Sequence, residues 1–344
     1  MRKESEMVEA YRKERLDRGI KARSDDVFAV SSYREMIYLA APRVLSVAGL
    51  LIVPLLLGAY WQKVITLTCA IALLGLSWDI MASAGMLCLG QAFLFGVGAY
   101  ISGSLNHYYN LPPFLAIPAA TLGGGIVCTI LFLPVLRLRG IYFAMVSFIL
   151  PLMGVRIIEA TRILGGTVGL SSLSPIPGTM WELYVPIVVL LICLFGFRRL
   201  IDTDYGIILR GIRDNDRAVL SGGIDIYWYK AQILFIGCAV GSFVGAFLTH
   251  SYRFVGMPAF ALDYSILPVA SVVVGGIGSF AGSVLGAFIL VPLSESLRLI
   301  GTMRIAFYSL AMVVFVVGIP EGIFSFIERK YHQFERVVGV EAEE

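Results

Sequence analysis

A short polar loop between long apolar segments holds the residues best suited to chemistry with a partner. Arg210, Arg213 and Arg217 are spaced at i, i+3 and i+7, which places them on one face of a helix, with apolar side chains on another face. Two glycines, Gly222 and Gly223, supply a helix stop. A charged amphipathic helix this compact predicts a docking surface for another molecule. A merely solvated loop is the alternative.

Two apolar segments rich in glycine and small residues are candidates for a second kind of chemistry, the binding of a solute by backbone groups. They cover residues 85–100 and 275–287 and lie about 190 residues apart, one in each half of the chain. Inside a bilayer, unwound backbone persists only where protein or a water-filled path satisfies its polar groups. Paired glycine-interrupted segments therefore indicate a solute path near the membrane midplane. Close helix packing through small residues is the alternative.

A third glycine-rich segment, residues 164–170, falls in a predicted external loop. Backbone amides exposed there could hold a carboxylate, although a plain loop is equally compatible with the sequence. The three segments together predict a set of path-lining residues. These are Gly85, Gly90, Gln91, Tyr100, Gly165, Gly166, Thr167, Gly275, Gly276, Gly278 and Ser279.

Asp79 is the one acid in an otherwise uncharged stretch, residues 64–105. Ionisable groups inside a membrane are costly and are functional by default. Asp79 nevertheless falls near a predicted helix end, where an interfacial position would explain it at little cost, and we favour this structural interpretation. No metal site is expected, because the five cysteines are scattered and form no Cys-x-x-Cys pair.

Catalytic signatures are missing from the printed sequence. It contains no Gly-Lys pair and therefore no phosphate-binding Gly-x-x-x-x-Gly-Lys-Ser/Thr loop. The formal net charge of +3 also gives no footprint for nucleic acid. We therefore expect a protein that is not an enzyme and has no cofactor of its own. Any ATP that drives it is hydrolysed by another polypeptide.

The composition is that of a polytopic membrane protein. Apolar residues make up 58% of the chain, and the 15% that are charged concentrate in residues 1–35, 198–230 and 328–344. Ordinary soluble domains reach roughly 45–50% apolar residues even with glycine included. The expected organisation is a charged N-terminal tail (1–35), a membrane domain (36–327) that contains the polar loop (198–230), and a charged C-terminal tail (328–344).

The apolar runs predict an all-α fold with about ten transmembrane helices, since one crossing needs about 20 apolar residues. Eight is the alternative if two segments re-enter the membrane. The predicted spans are residues 44–61, two within 64–105 broken at 82–85, 111–136, 141–155, 183–197, 231–251, two within 264–294 that meet at the glycine cluster, and 305–320. Because Lys and Arg accumulate on the cytoplasmic side, both termini and the polar loop are predicted to be cytoplasmic.

Several strings, taken in order and spacing, resemble the permeases of branched-chain amino-acid ABC importers of the LivM type. The resemblance covers about residues 45–323. Its strings are Trp78-Asp79, Gly85-x-x-x-Leu89-Gly90-Gln91-Ala92-Phe93, Gly96-x-Gly98-Ala99-Tyr100, Arg137 through Ala144, Gly165-Gly166-x-x-Gly169-Leu170, Gly206 through Ala218 with Gly223-Ile224 and Lys230, Val274 through Ser279 with Gly282 and Gly286-Ala287, and Pro320-x-Gly322.

The resemblance implies two pseudo-symmetric halves and a multi-pass subunit of a bacterial inner membrane. It implies four kinds of partner: a second permease subunit in a heterodimer, two ATP-binding subunits, a periplasmic solute-binding protein and membrane lipid. The polar loop would seat in the ATPase and transmit its closure to the spans. Residues implied for this coupling are Gly206, Arg210, Arg213, Asp214, Asn215, Asp216, Arg217 and Gly223.

The sequence departs from the family pattern at Cys88, Leu164 and Gly211, where Ser, Thr and Ala are usual. The first two lie near the expected path, so the solute could differ from leucine. The expected function is translocation of a small, branched-chain or hydrophobic amino acid. Permeases for urea, amides, or aromatic or organic acids share the scaffold and stay open, as does a passive channel or ion-driven carrier.

Overall fold

The computed structural model describes residues 11–15, 44, 47–138, 140–161, 164–297, 313, 318, 322–326 and 335–339. We number its helices and strands in chain order. The helices are α1 (Val47–Leu56), α2 (Ala59–Ser83), α3 (Gln91–Tyr109), α4 (Pro113–Phe132), α5 (Ile141–Thr161), α6 (Thr179–Ile201), α7 (Asp204–Asp214), α8 (Asp216–Ser221), α9 (Ile226–Tyr252), α10 (Asp263–Gly275) and α11 (Phe280–Ser296). Two 3-10 helices, Leu133–Arg137 and Met257–Phe260, extend α4 and follow α9.

Four short strands complete the described elements. Strand β1 (Tyr11–Arg15) pairs antiparallel with β4 (Glu335–Gly339), and β2 (Leu170–Ser171) pairs antiparallel with β3 (Phe254–Val255). The first pair joins segments of the two charged tails. The second pair holds the glycine-rich loop before α6 against the end of α9.

The structure confirms an all-α polytopic membrane protein. Six helical stretches in the described ranges are long and apolar enough to cross a membrane. They are Ala59–Ser83, Pro113–Arg137, Ile141–Thr161, Thr179–Ile201, Ile226–Tyr252 and Met257–Gly275. The helices α3 and α11 also overlap predicted spans, whereas the run 305–320 falls outside the described residues apart from positions 313 and 318. Ten spans in two pseudo-symmetric halves therefore stay a prediction.

The first predicted span is wrong in its boundary. We expected a helix over residues 44–61, but α1 ends at Leu56 and α2 begins at Ala59. The separation occurs at Gly58, whose extended backbone (φ −66°, ψ 162°) makes it the N-cap of α2. The predicted break at residues 82–85 is confirmed, because α2 ends at Ser83 and Gly85 follows with a positive φ of 75°.

Helix α2 is the centre of the bundle and is packed by α6, α9, α10 and α11. From Thr68 to Ser83 every residue of α2 is buried. A helix that is apolar on all sides is stable only where other helices cover all of its faces. In the helices α4, α5 and α6 only about a third of the residues or fewer are fully buried, as expected for helices at the perimeter that face lipid.

Close backbone approach joins α3 to α9. A Cβ atom placed on Gly98 would collide with the carbonyl group of Ser242, and one placed on Gly245 would collide with the carbonyl group of Phe95. Small residues at such crossings let dispersion contacts form between backbones, which is how helices associate without a hydrophobic driving force in lipid. The polar side chains on these helices are held in place by that contact.

Replacement of Gly245 by alanine should destabilise the bundle by about 1–3 kcal/mol, because the added methyl group has no space against the Phe95 carbonyl group. Gly196→Ala is the matched control: Gly196 is also helical, but nothing lies within 4 Å of the position that a Cβ atom would take there. Thermal unfolding of the detergent-solubilised variants measures both effects. Equal melting temperatures for the two variants would contradict the packing interpretation.

Candidate functional site

The polar loop forms a helical unit under the membrane bundle, made of α7 and α8. Leu209 and Ile212 are buried on the inner face of α7. Gly206 allows a tight turn from α6, since a Cβ atom there would collide with the carbonyl group of Ile201. The apolar face of α7 thus attaches the unit to the bundle and leaves its charged face accessible.

The prediction of one continuous helix through this loop is wrong. Asn215 has an extended backbone (φ −157°, ψ 96°) and separates α7 from α8. Its Oδ1 accepts hydrogen bonds from the backbone N–H groups of Arg217 (3.1 Å) and Ala218 (3.3 Å). Asparagine competes well as an N-cap because its short side chain reaches these free donors. Arg210 and Arg213 therefore share α7, whereas Arg217 lies on α8.

The arginines of α7 point outward or along the surface. Nη2 of Arg210 donates to the carbonyl oxygen of Ile201 (3.3 Å), and Nε of Arg213 lies 3.4 Å from Oδ1 of the adjacent Asp214. The Arg213 side chain stays 46% exposed and that of Asp214 71% exposed. Exposed pairs of this kind contribute little to stability. Their charges are free to bind a partner surface.

A nearly buried ion pair ties α8 to the start of α9. Nζ of Lys230 lies 3.3 Å from Oδ1 and 3.2 Å from Oδ2 of Asp216, and the residue Lys230 is only 7% exposed. Sequence reasoning placed Asp216 in the loop but assigned no function to Lys230. The sequence signal for this ion pair was a single lysine at the fifth position of an apolar helix.

A second link between the loop and α9 involves Tyr205, near the start of α7. Its hydroxyl group donates to Oε1 of Gln232 (2.9 Å). Burial, followed by the neighbouring Tyr229, raises the pKa of Tyr205 to about 12. The phenol therefore stays protonated and keeps its donor at physiological pH.

A cleft of about 330 Å³ opens between this unit and the membrane bundle. Its walls come from the turn after α2 (Gly85, Met86), from the α4–α5 connection, and from the α7–α8 junction (Arg213). Gly85 has a φ of +75°, and a Cβ atom on it would lie 3.4 Å from the Cα atom of Arg213. Gly85, which was predicted to line the solute path, is therefore a turn residue. It lies beside Arg213, which was predicted to couple the chain to its ATPase.

The predicted path residues on α3 differ in their surroundings. Gly90 is the N-cap of α3 and packs against the carbonyl group of Ser147 on α5. Gln91 is fully buried, and its Oε1 accepts a hydrogen bond from Ser77 (3.3 Å). Tyr100 is buried with its ring stacked on that of Phe260, at a centroid separation of 5.7 Å.

Three buried polar atoms in the described region have no hydrogen-bond partner: Nε2 of Gln91, the Tyr100 hydroxyl group and Nε1 of Trp78. Sequence analysis predicted that Gln91 and Tyr100 line the solute path. Trp78 entered it only as part of the family resemblance. An unpaired buried donor costs about 1–3 kcal/mol. Natural proteins retain such groups mainly where a ligand or water completes them.

The glycines of the second half form the turn between α10 and α11. Gly276 and Gly278 have positive φ angles of 117° and 84°, and Ser279 is the N-cap of α11, with its Oγ accepting from the Gly282 N–H (3.2 Å). A Cβ atom on Gly275 would collide with the Gly282 carbonyl group. These residues therefore build a tight helix pair, as the packing alternative predicted for single glycines.

Asp79 on α2 binds this turn. Its Oδ1 accepts from the Gly278 N–H, and its Oδ2 accepts from the Ser283 hydroxyl group, both at 2.8 Å. The structural interpretation of Asp79 agrees with these bonds, and the residue lies buried among helices, four residues before the end of α2. No local sequence signal pairs Asp79 with a turn that lies about 200 residues further on.

The glycine-rich segment of residues 164–170 lies at the other end of the bundle. Gly165 and Gly166 have positive φ angles of 83° and 53°, and Thr167 follows them in the same turn. The segment is anchored through the β2–β3 pair at the C-terminal end of α9, about 40 Å along that helix from the polar loop. The structure therefore places these three residues at the opposite end of α9 from Gly85 and the polar loop.

His250, fully buried near the end of α9, anchors the chain that follows this segment. Its Nδ1 donates to the carbonyl oxygen of Ser174, and its Nε2 is bonded to Oγ of Ser102, both at 2.9 Å. Oδ1 of Asn106 accepts from the Ser174 N–H (2.9 Å). Sequence analysis assigned no role to His250. Isolated polar residues in apolar helices were the signal for this anchor.

Comparison with known proteins identifies the family. The family model described as "Branched-chain amino acid transport system / permease component" matches residues 60–319. The high-affinity branched-chain amino acid transport system permease protein LivM of Escherichia coli K12 is 26% identical in an alignment of 326 residues that covers 85% of this chain and 76% of that protein. The protein of the same name from Salmonella typhimurium LT2 has the same identity and coverage.

A more distant organism also has a relative. The probable branched-chain amino acid transport permease protein LivM of Methanocaldococcus jannaschii is 26% identical over 216 residues, 58% of this chain and 61% of that protein. No solved structure matches the chain. Because the family model extends from the start of α2 to beyond α11, this chain belongs to the family of permease components of branched-chain amino acid transport systems.

Proposed function

We propose that this chain is the permease subunit of an ABC importer that moves a small branched-chain or hydrophobic amino acid across a bacterial inner membrane, driven by ATP that separate subunits hydrolyse. The observation that carries the proposal is the α7–α8 unit, an exposed charged surface attached to the bundle. The chain itself is a transport subunit, has no catalytic function and needs no cofactor of its own.

The α7–α8 unit has the properties of a mechanical connection. Leu209 and Ile212 of α7 are buried against the bundle, and the Lys230–Asp216 pair fixes the junction to α9. Its outward face carries Arg210, Arg213 and Asp214, none of which is held in a buried contact. A partner that binds these charges would therefore move the spans when it moves.

The solute path is proposed along α3, where the donors of Gln91 and Tyr100 are unpaired and the Tyr100 ring stacks on that of Phe260. The two residues lie on opposite faces of the helix and about 13 Å apart along it, so each donor would meet the solute at a different point of the path. An amino acid with an apolar side chain suits such a path, because its carboxylate can accept a hydrogen bond from each donor in turn. The solute's identity is part of the proposal.

The assembly is proposed to contain a second permease subunit, two ATP-binding subunits, a periplasmic solute-binding protein and surrounding lipid. The exposed apolar faces of α4, α5 and α6 support contact with lipid and with the second permease. Residues 198–230 face the cytoplasm in this proposal, as do the tails 1–35 and 328–344. About ten spans in two pseudo-symmetric halves complete the arrangement.

The proposal is tested by reconstitution of the purified complex in liposomes. Solute uptake should require the binding protein and ATP. Arg213→Glu should insert normally but reduce retention of the ATP-binding subunits at least tenfold. The substitution reverses a charge on the face of α7 that is proposed to bind these subunits. Arg156→Glu, an exposed charge reversal on α5 outside the polar loop, is the control.

Two outcomes would contradict the proposal. Normal retention of the ATP-binding subunits by Arg213→Glu removes the coupling surface. Uptake by this chain alone, with no gain from ATP, indicates a passive channel or an ion-driven carrier instead. A panel of amino acids, urea, amides and organic acids in the same assay identifies the solute.

The buried ion pair predicts a coupled loss of stability. Lys230→Met should lower the free energy of unfolding by roughly 3 kcal/mol, because it removes the ammonium group that pairs with the Asp216 carboxylate in a poorly solvated site. Asp216→Asn combined with Lys230→Met should recover part of this loss. A double-mutant cycle on thermal or denaturant unfolding measures the interaction. A coupling energy near zero would show that the pair does not hold α8 to α9.

Tyr100→Phe should separate stability from transport. The variant keeps the ring stacked on Phe260 and removes a buried hydroxyl group that has no partner, so its melting temperature should stay unchanged or rise. Its uptake should fall several-fold if the hydroxyl group binds solute. Melting temperature and uptake are measured on the same preparation. Unchanged uptake would remove Tyr100 from the path.

A further inference from the structure

Asp79 links two parts of the molecule that sequence analysis treated separately. It lies on α2, whose C-terminal turn contacts the polar loop, and its carboxylate binds the α10–α11 turn through the Gly278 N–H and the Ser283 hydroxyl group. It is the one fully buried acid in the described spans. Its position requires a physical explanation.

The positive end of α11 supplies part of that explanation. Helix α11 begins at Phe280 after its N-cap Ser279, and the Asp79 carboxylate binds the N–H before this cap and a hydroxyl group in its first turn. A negative group at a helix N-terminus is stabilised by the partial positive charge there. Hydrogen bonds to an ionised acceptor are also stronger than neutral ones. Both carboxylate oxygens of Asp79 are thereby paired with donors of the α10–α11 segment, without an ion pair among the described residues.

The other end of the link is the turn after α2. The Gly85 N–H donates to the Ala82 carbonyl oxygen (2.9 Å) and the Met86 N–H to the Met81 carbonyl oxygen (3.1 Å), so the turn is a hydrogen-bonded continuation of the helix. Gly85 then lies against the backbone of Arg213. Asp79 is only four residues from the end of α2, within about one helical turn.

These contacts form one continuous connection from the docking surface to the glycine turn. Gly85 connects the end of α2 to α7, and Asp79 connects α2 to Gly278 and Ser283. The turn is confined on its far side as well, because a Cβ atom on Gly322 would collide with the backbone of Gly276. The α10–α11 pair must therefore move with α2 or break these two hydrogen bonds.

We propose that Asp79 is the positioning residue through which movement of the α7–α8 unit reaches the α10–α11 turn. The inference rests on the proposed function. In this proposal Asp79 transmits ATP-driven movement and does not contact the solute. Loss of both hydrogen bonds should leave ATP hydrolysis running while transport fails.

The test measures solute transported per ATP hydrolysed by the complete complex in liposomes. Asp79→Leu removes both hydrogen bonds and should lower this ratio at least tenfold while ATP hydrolysis stays within about twofold of the unmodified complex. Asp79→Asn can keep both bonds, with its amide oxygen facing Gly278 and its amide nitrogen facing Ser283, and should restore the ratio to within about threefold. A residue that only fills space would not show this rescue.

Ser283→Ala keeps the proposal falsifiable if Asp79→Leu fails to assemble. It removes one of the two bonds with little change in volume and should lower the ratio about threefold. Thr68→Val is the control on the same helix, since the Thr68 hydroxyl group bonds only within α2, to the Val64 carbonyl oxygen. It should leave the ratio unchanged.

The outcomes separate the inference from the proposed function. Normal ratios in assembled Asp79→Leu, or in Ser283→Ala when Asp79→Leu does not assemble, overturn the transmission by Asp79 and leave the importer intact. A ratio lowered equally by Thr68→Val and Ser283→Ala also overturns it, because the effect is then not specific to the turn. Failure of the unmodified complex to couple uptake to ATP overturns the importer proposal.

Discussion

Contact between helix backbones is the constraint on which the rest of this structure depends. In lipid, apolar side chains gain little by leaving one apolar environment for another, so helices associate through close packing and a few hydrogen bonds. At Gly98 and Gly245 the backbones of α3 and α9 meet with no room for a side chain. This packing fixes where Gln91, Tyr100 and Ser242 can lie, and it keeps a buried unpaired donor in place despite its cost.

The described molecule divides its polar groups between two ends of the bundle. At one end, the α7–α8 unit, the Lys230–Asp216 pair and Asp79 lie around the C-terminal turn of α2. At the other end, His250 and Asn106 hold the chain between the glycine segment and α6. Between the ends the core is apolar apart from short hydroxyl groups and the donors on α2 and α3. Such an arrangement suits a bundle whose two ends respond to different partners.

Local patterns predicted the helices well because span length, charge and breaking residues are local properties. The end of α2 before Gly85 and the charged loop after α6 were both found in this way. The break at Asn215 was missed because helical spacing of the arginines was given more weight than the capping preference of one asparagine. The Lys230–Asp216 pair and the Asp79 bonds depend on tertiary contacts that leave no periodic signal in the sequence. The glycine-rich segments were visible in the sequence, and close packing of helix backbones explains most of the glycines in them.

The long separation between Asp79 and Gly278 has a consequence for biosynthesis. The two residues are 199 positions apart, so at about 5–20 residues per second α2 leaves the ribosome roughly 10–40 s before its partner exists. Asp79 lies only four residues from the end of α2, so before its partners exist its carboxylate is least costly near the membrane surface at that end of the span. The α10–α11 pair, once synthesised, supplies the two donors that this carboxylate binds in the folded bundle.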